Sequence, residues 1–294
     1  MSTNQKTLEN KVAIVTGGAS GIGRALGEEL AHRGCEVVLA DRQHSVAAEV
    51  AKGITDRGGR ATAAELDVRS LPAFKAIAKD TLQRSGRIDY LFNNAGIVVG
   101  GEMASYVQED WDDVIDVNLR GVVYGIQAVY PIMVKQGSGH ILNTASVAGL
   151  VAGFNEGAYT ATKHAVVAVT KALRVEAERY GVRASVLCPG AIRTPILTGG
   201  VYGRINVENV SKETIMRMSE RLRPISPEEL ARRTLDAVAR NEAIIVLPKW
   251  WKAFWYLDRL SPALSLKLAS YRHKLMREEM LAAGAKPKSI DADA

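Results

Sequence analysis

The sequence has little cysteine and no long apolar run. Its 294 residues include two cysteines, Cys35 and Cys188, each beside a short apolar stretch and without a nearby metal-binding partner, which predicts reduced, buried thiols. No uninterrupted run of apolar residues exceeds five, whereas a membrane-spanning helix needs roughly 20. The polar start "MSTNQKTLENK" lacks the apolar stretch of a signal peptide. We therefore expect a cytoplasmic protein that does not cross a membrane.

Excess charge is scarce outside the carboxyl-terminal part of the chain. The net charge is +6, and residues 249–279 alone contain seven Lys or Arg against three Asp or Glu. A basic segment can attract the phosphates of nucleic acid or lipid, although most charge runs form a solvated face. No nucleic-acid recognition module accompanies this segment, so we expect no nucleic-acid partner.

Short apolar runs alternate with longer segments of helical period over most of the chain. The predicted strands are "KVAIVTGG", "CEVVLAD", "ATAAELDV", "IDYLFNNAG", "GHILNTAS" and "VRASVLCPG", and the helical segments include residues 107–135 and 159–180. Parallel strands need a crossover, for which a helix is the usual solution. The pattern therefore predicts an α/β fold with a doubly wound parallel sheet over residues 8–248. A helical extension over 249–294 would follow, with its last dozen residues frayed.

A glycine-rich turn follows the first predicted strand. "VAIVTGGASGIGRAL" places Gly17, Gly21 and Gly23 where backbone N–H groups and a helix amino terminus can hold a pyrophosphate. Asp41 ends the second strand, where a carboxylate accepts hydrogen bonds from ribose hydroxyls and repels a 2'-phosphate, which favours NAD. Arg42 leaves NADP open because a guanidinium can pair with that phosphate, but it is equally well read as a surface residue.

Three residues predict acid–base chemistry. Ser146 ends a predicted strand, and Tyr159 and Lys163 lie four residues apart at the start of a helix, on the same face. A cation beside a phenol lowers its pKa, so Tyr159 would exchange a proton with a substrate hydroxyl that Ser146 holds. Taken alone, a Tyr and a Lys at this spacing are common, and Ser146 has the alternative role of capping a turn.

Together these motifs resemble the short-chain dehydrogenase/reductase family in its single-domain, Rossmann-type form. "TGGASGIG" matches the family's Thr-Gly-x-x-x-Gly-x-Gly signature, "NNAG" (93–96) its sheet-stabilising motif, and Ser146, Tyr159 and Lys163 its catalytic set. "PGAIRT" (189–194) resembles the loop that holds the nicotinamide. The resemblance implies NAD(P)-dependent hydride transfer between a secondary alcohol and a ketone, no metal ion, and a homodimer or homotetramer.

The resemblance also implies further site residues. Asn118 matches the asparagine that positions a water between Lys163 and solvent, with a helix-interior asparagine bonded to backbone as the alternative. Asp67, expected at the adenine, could instead cap a turn. The implied cofactor contacts are Gly17, Ser20, Gly21, Ile22, Gly23, Asp41, Arg42, Asp67, Val68, Asn93, Ala95, Gly96, Tyr159, Lys163, Pro189, Gly190, Ile192 and Thr194.

The family places its variable substrate cap at 195–225. Apolar residues there and before Tyr159 predict a lipophilic alcohol or ketone such as a steroid, retinoid or long-chain compound, unless they only dock the cap. The cap residues are Val201, Tyr202, Ile205, Ile215, Met216 and Met218, and Leu150, Val151, Phe154 and Asn155 offer further wall before Tyr159. The alternatives are an enzyme acting on small polyols or sugars and a non-catalytic NAD(H)-binding regulator.

The segment "PKWWKAFWYLDRL" (248–260) contains three of the four tryptophans. A helix would place Trp251, Phe254 and Trp255 on one face, flanked by Lys249, Lys252 and Arg259. Three interpretations remain open at this point: packing on the body or over the pocket mouth, peripheral membrane contact through 249–277, and a subunit contact.

Overall fold

A computed structural model describes residues 8–209 and 211–287 of the chain. The helices are α1 Gly21–His32, α2 His44–Asp56, α3 Leu71–Ser85, α4 Gln108–Ile115, α5 Gly121–Gln136, α6 Gly157–Ala177, α7 Lys212–Glu220, α8 Pro227–Ala239, α9 Trp251–Leu260 and α10 Pro262–Ala282. The strands are β1 Val12–Thr16, β2 Glu36–Asp41, β3 Arg60–Glu65, β4 Tyr90–Asn93, β5 Val99–Gly100, β6 Gly139–Thr144, β7 Val182–Pro189, β8 Arg204–Ile205, β9 Val207–Glu208, β10 Ile244–Leu247 and β11 Lys286–Pro287.

Seven strands form one parallel sheet in the order β10-β7-β6-β4-β1-β2-β3. Buried residues of α1, α2 and α8 cover one face, and those of α3, α5 and α6 cover the other. The central strands are largely buried because both faces of the sheet are covered; β1 is buried at all five positions. The predicted doubly wound α/β fold with a carboxyl-terminal helical extension is confirmed.

The strand order reverses at β1, whose neighbours are β2 on one side and β4 on the other. Loops leaving the carboxyl ends of these strands diverge to opposite faces, which opens a crevice at this edge of the sheet. The segment 107–135, predicted as one long helical stretch, is helical throughout from residue 108, with α4 running through a π-helical turn at Asp116–Arg120 into α5. Such turns let a helix present one side chain out of its regular phase.

The cap is fixed to the body by an ion pair. Arg204 Nε donates to Asp110 Oδ1 at 2.9 Å and Arg204 Nη1 to Asp113 Oδ2 at 2.9 Å, and β8 pairs with β5. Asp110 is buried and also accepts from Asn206 Nδ2 at 3.0 Å. These contacts hold the base of the cap on α4.

The extension consists of α9 and α10, and β11 then pairs antiparallel with β9 of the cap. Most of the segment predicted to be frayed, residues 288–294, lies outside the described residues. Within the described ranges, no helix is long and apolar enough to cross a membrane. Cys35 and Cys188 are both buried and free, as predicted, and burial raises the pKa of the Cys188 thiol to about 12.

Candidate active site

A cavity of about 1060 Å³ opens at the carboxyl ends of the sheet strands. Its walls come from the loops after β1, β2, β3, β4, β6 and β7, from the cap and from both helices of the extension. Most of the predicted site residues line this one space. Its size suits a dinucleotide together with a small substrate.

The glycine-rich turn forms one end of the cavity. Gly17 and Gly21 line it with positive φ angles of 69° and 52°, and Ser20 and Ile22 line it beside them. Helix α1 begins here with neither a side-chain cap nor an acidic residue in its first turn. Its first backbone N–H groups therefore remain available, which fits the pyrophosphate of a dinucleotide.

Gly23 does not line the cavity. It packs under the turn, where any Cβ would clash with the carbonyl of Gly17 and lie 2.7 Å from Asn94 Nδ2. Its predicted part in cofactor binding is therefore structural, since it lets α1 approach the turn.

Asp41 lies at the end of β2 and is buried. Its Oδ2 accepts from the N–H of Ala19 at 3.0 Å and its Oδ1 from the N–H of Gln43 at 2.9 Å. Each carboxylate oxygen retains acceptor capacity for a ribose hydroxyl. Arg42 also lines the cavity, with its guanidinium over the ring of Tyr202 at 4.5 Å and Nε 3.6 Å from Asp67 Oδ2.

Asp67 and Val68 follow β3 and line the cavity. The carboxylate of Asp67 accepts from both Nε and Nη2 of Arg69, at 3.0 and 2.7 Å, and from the Arg69 backbone N–H at 3.0 Å. The Arg69 hydrogen bonds hold the pKa of Asp67 below its ordinary value. The structure thus shows the turn-capping contact and the cavity position together.

The "NNAG" segment divides between two roles. Asn93 lies outside the cavity: its Nδ2 donates to Asn143 Oδ1 at 2.9 Å, so the predicted cofactor contact through Asn93 does not fit. Asn94, which the sequence reasoning missed, lines the cavity together with Ala95 and Gly96. The backbone N–H groups of Asn94 and Ala95 donate to Thr16 Oγ1 at 2.9 and 3.0 Å. This tie joins the ends of β1 and β4.

Ser146, Tyr159 and Lys163 come together on the cavity wall. Ser146 Oγ accepts from the N–H of Ala148 at 3.1 Å and reaches the carbonyl oxygen of Pro189 at 3.5 Å, so it caps a turn while facing the cavity. Lys163 is buried and donates from Nζ to the Thr144 carbonyl oxygen at 2.9 Å. The Lys163 Nζ lies 5.3 Å from the centre of the Tyr159 ring.

The pKa of Tyr159 moves opposite to the sequence prediction. Burial raises it above the usual phenol value, the nearby Glu156 carboxylate raises it further, and the hydrogen bond with Ser146 only partly offsets them. Burial also lowers the pKa of Lys163 to about 8. Lys163 is not among the causes of the shift in the pKa of Tyr159, and its ammonium donates to the Thr144 carbonyl oxygen. Tyr159 is therefore a neutral phenol at pH 7, ready to donate a proton.

Asn118 is buried in the π-helical turn and does not line the cavity. Its Nδ2 donates to the Ile97 carbonyl oxygen at 2.9 Å, and its Oδ1 accepts from the Ile97 N–H at 2.9 Å. A Cβ on Gly96 would lie 3.2 Å from Asn118 Oδ1 and 3.4 Å from Lys163 Nζ. Asn118 thus fixes the β4 loop next to Lys163, through backbone bonds as in the alternative interpretation.

The 189–194 loop follows β7 and contributes Pro189, Gly190, Ile192 and Thr194 to the cavity wall. Trp251 of α9, which also lines the cavity, packs against this loop so closely that a Cβ on Gly190 would clash with the indole nitrogen. Phe254 and Trp255 pack into the same apolar cluster as Cys188 and Val246. The aromatic face predicted for α9 is therefore turned to the body, which agrees with the packing interpretation.

The substrate end of the cavity is predominantly apolar. Of the predicted lining residues, Met216 and Leu150 do not line it, whereas Val201, Tyr202, Ile205, Ile215, Met218, Val151, Phe154 and Asn155 do. Further wall comes from Phe254, Leu257, Leu268 and Met276 of the extension, which sequence reasoning did not assign to the site. His273 Nε2 lies 3.1 Å from Asn155 Oδ1 and fixes α10 over this end.

Glu156 is the other site residue that sequence reasoning missed. It lines the cavity three residues before Tyr159, at the start of α6, and burial raises the pKa of its carboxyl to about 7. A carboxylate in an apolar wall is poorly solvated, which is the physical cause of that shift. No spacing rule in the sequence would have singled it out.

The fold and this cavity define a class of protein: a Rossmann-type enzyme with a dinucleotide site beside a Ser, Tyr and Lys set. Residues 11–200 match the family described as short chain dehydrogenase. The chain belongs to the short-chain dehydrogenase/reductase family and is an oxidoreductase of that family. The match ends at residue 200, so α7, α8 and the extension lie beyond it.

Individual relatives agree with this assignment. The chain is 39% identical over 190 residues to an uncharacterized oxidoreductase of Staphylococcus saprophyticus, covering 64% of this chain and 81% of the relative. A short-chain dehydrogenase/reductase from Burkholderia phymatum, solved in complex with NAD, superposes with a TM-score of 0.78 at 31% identity, covering 87% of this chain and 95% of that one.

A putative NAD(P)-dependent gluconate 5-dehydrogenase from Beutenbergia cavernae, solved with NADP at low occupancy, gives a TM-score of 0.73 at 29% identity. The superposition covers 84% of this chain and 98% of that one. Structural neighbours of this chain thus bind either NAD or NADP.

Proposed function

We propose that this protein catalyses reversible hydride transfer between NAD and a lipophilic secondary alcohol or its ketone. The observation that carries the proposal is that Ser146, Tyr159 and Lys163 share one cavity with a wall of apolar side chains from three separate elements. When bound, the nicotinamide accepts or supplies the hydride at the substrate carbon. The residues of the chain manage the proton on the substrate oxygen.

In the direction of ketone reduction, Tyr159 donates its phenolic proton to the substrate oxygen. Ser146 Oγ holds that oxygen by a hydrogen bond. Because burial raises the pKa of Tyr159, the phenol is fully protonated at neutral pH and the acid role needs no prior ionisation. In alcohol oxidation the phenolate oxygen of Tyr159 takes the proton back, and Lys163 lies beside the ring with its ammonium held by the Thr144 carbonyl oxygen.

Asp41 supports NAD as the cofactor. Its buried carboxylate lies at the end of β2, held by the N–H groups of Ala19 and Gln43, where the adenosine ribose is expected. The negative charge of Asp41 would repel the 2'-phosphate of NADP at this position. Arg42, which favours NADP, is engaged by Tyr202 and Asp67.

The apolar wall supports a lipophilic substrate. Phe154, Ile215, Met218, Phe254 and Leu257 all line the space, and an apolar molecule gains by leaving water for such a surface. The rival function is oxidation of a polyol or sugar acid, which Asn155 and Glu156 favour because they place polar groups in the same wall. The structural likeness to a putative gluconate 5-dehydrogenase points the same way.

The test is turnover, followed at 340 nm, with NAD or NADP and a panel of sterols, retinols, long-chain secondary alcohols and small polyols. We expect oxidation of the lipophilic alcohols with NAD and a loss of at least about 100-fold in kcat for Tyr159→Phe. Tyr180→Phe, outside the cavity, is the matched control and should retain activity.

Turnover confined to polyols would overturn the substrate assignment. Retention of most activity by Tyr159→Phe would overturn the assigned acid. If the wild-type protein bound NADH, measured by fluorescence, but turned over no member of the panel, the non-catalytic regulator would replace the enzyme.

A further inference from the structure

The outer face of α10 carries an apolar stripe that nothing in the described chain covers. Leu264, Leu268, Tyr271 and Leu275 are between 41% and 61% exposed. Their spacing of four, three and four residues places them on one side of the helix. The adjacent, body-facing side carries Ser265, Ala269, Met276 and Met280, which line the cavity. Helix α10 is thus apolar both toward the cavity and toward solvent.

The stripe continues into the mouth of the cavity. Leu268 and Leu275 belong to the stripe and also line the cavity, so they lie at its rim. The cap contributes Val201 and Tyr202, which also line the cavity and are 68% and 39% exposed. We call these two cap residues and the α10 stripe the mouth rim. Exposed apolar surface around a binding site marks an interaction surface.

Positive charge borders the mouth rim. On α10, Lys267 lies one turn from both Leu264 and Tyr271, and Lys274 follows Tyr271 by three residues. Within the described ranges no carboxylate pairs with Lys267, Lys274 lies 4.0 Å from Glu278, and Glu279 pairs with Arg221 of the cap. The α9 segment adds Lys249 and Lys252, which have no acidic partner among the described residues, and the exposed aromatic rings of Trp250 and Tyr256.

We propose that the mouth rim docks on the surface of an anionic lipid bilayer, through which lipophilic substrate enters and leaves the cavity. Apolar side chains flanked by lysines suit a headgroup region, where the apolar groups leave water and the ammonium groups meet lipid phosphates. A second copy fits this surface less well, because a twofold contact would bring a lysine-flanked face against its own charge. The entry route rests on the proposed function, whereas the docking does not.

The test is co-sedimentation of the full chain with phosphatidylcholine vesicles and with vesicles containing about 30% phosphatidylserine, at low ionic strength. We expect binding to the anionic vesicles and a decrease when NaCl is raised to about 0.5 M. The double variant Leu264→Gln/Tyr271→Gln, at positions outside the cavity lining, should reduce the partition coefficient at least tenfold. Lys267→Glu/Lys274→Glu should abolish the preference for anionic lipid.

The matched control is Leu266→Gln/Val175→Gln, which removes two exposed apolar side chains away from the stripe. It should bind within twofold of the wild type, and thermal unfolding should show that all variants are folded. A wild-type protein that stays in the supernatant with anionic vesicles overturns the docking. The docking is also overturned if light scattering shows that the wild type is an oligomer, that the stripe variants dissociate it, and that neither protein binds vesicles. The stripe would then be a subunit contact.

An activity assay separates the docking from the proposed substrate. The stripe variant should turn over a long-chain alcohol embedded in anionic vesicles at least fivefold more slowly than the wild type, but oxidise a short, water-soluble secondary alcohol at an equal rate. Vesicle binding by a wild type that oxidises no lipophilic alcohol would support docking and overturn the substrate class. Equal rates on the embedded alcohol would overturn the entry route.

Discussion

The indole nitrogen of Trp251 lies against the backbone of Gly190, and its N–H has no hydrogen-bond partner among the described residues. Trp251 is the first residue of α9, whereas Gly190 belongs to the loop that lines the cavity after β7. Trp251 also lines the cavity, so the extension and the loop build this part of the wall together. Its contribution at this point comes from shape and not from polar contacts.

Gly190→Ala tests this packing. The added methyl group must displace the indole, so we expect the free energy of unfolding to fall by about 1–3 kcal/mol and KM for NAD to rise. Gly53→Ala in α2 is the control: its Cβ would meet only the Arg57 side chain, at 3.6 Å, and it should stabilise by about 0.5–1 kcal/mol. Urea denaturation measures both.

Trp251→Leu makes room for the new methyl group. In a double-mutant cycle the combined loss should be smaller than the sum of the single losses. If the two single losses add up to the loss in the double variant, residues 190 and 251 are not in steric contact.

Glu156 should make stability depend on pH. Its pKa is about 7 in the folded protein against an ordinary 4.5, so the folded state holds the proton more tightly than the unfolded state does. The free energy of unfolding is therefore highest below about pH 4.5 and falls as the pH rises to about 7. As the pH rises from 5 to 8, the free energy of unfolding should therefore fall less in Glu156→Gln than in the wild type. The difference between the two decreases should be up to about 3 kcal/mol.

The same variant should alter the pH profile of alcohol oxidation. The ionised Glu156 raises the pKa of Tyr159, so Glu156→Gln should move the rising limb of kcat to lower pH, by about half a unit to one unit. Glu109→Gln, at an exposed position on α4, is the control and should leave the limb in place. An unshifted limb in Glu156→Gln would show that the two groups do not interact.

Arg204→Ala tests the attachment of the cap. It removes the guanidinium partner of the buried Asp110. We expect the free energy of unfolding to fall by about 2–4 kcal/mol and KM for the substrate to rise more than KM for the cofactor. Arg217→Ala, an exposed position of α7, should change neither. An equal rise in both KM values would indicate damage to the whole cavity and not to the cap alone.

Asp41→Asn tests the choice of cofactor. Removing the carboxylate charge while keeping one acceptor for the Ala19 N–H should raise the ratio of kcat/KM for NADP to that for NAD about tenfold, which is about 1.4 kcal/mol. Arg42→Ala should act in the opposite direction. If neither variant changes the ratio, the discrimination lies elsewhere in the adenosine pocket.

The fold was predictable because its signals are local. Each strand of the sheet is a short apolar run, and each crossover has helical period, so the order of elements follows from the chain itself. The π-helical turn at Asp116–Arg120 was not predictable in this way, since the contact that accompanies it, between Asn118 and Ile97, joins two segments 21 residues apart.

The site was predictable where a motif carries it. Gly17, Ser146, Tyr159 and Lys163 converge as the family resemblance implies. The pKa of Tyr159 was predicted in the wrong direction because the sequence gives a charge beside a phenol but not the burial of that phenol. Similarly, the cavity wall contributed by Phe254 and Leu268 depends on where the extension folds back, which no local pattern records.

The pairing of β11 with β9 attaches the end of the extension to the cap. The extension is held at Gly190 by Trp251, across the mouth by the His273–Asn155 bond, and at the cap by Lys286 and Pro287. The extension therefore cannot move away from the mouth of the cavity unless the cap moves with it or the pairing of β11 with β9 breaks. We therefore expect the exchange of substrate and product to require one concerted opening, whose rate would set an upper limit on turnover.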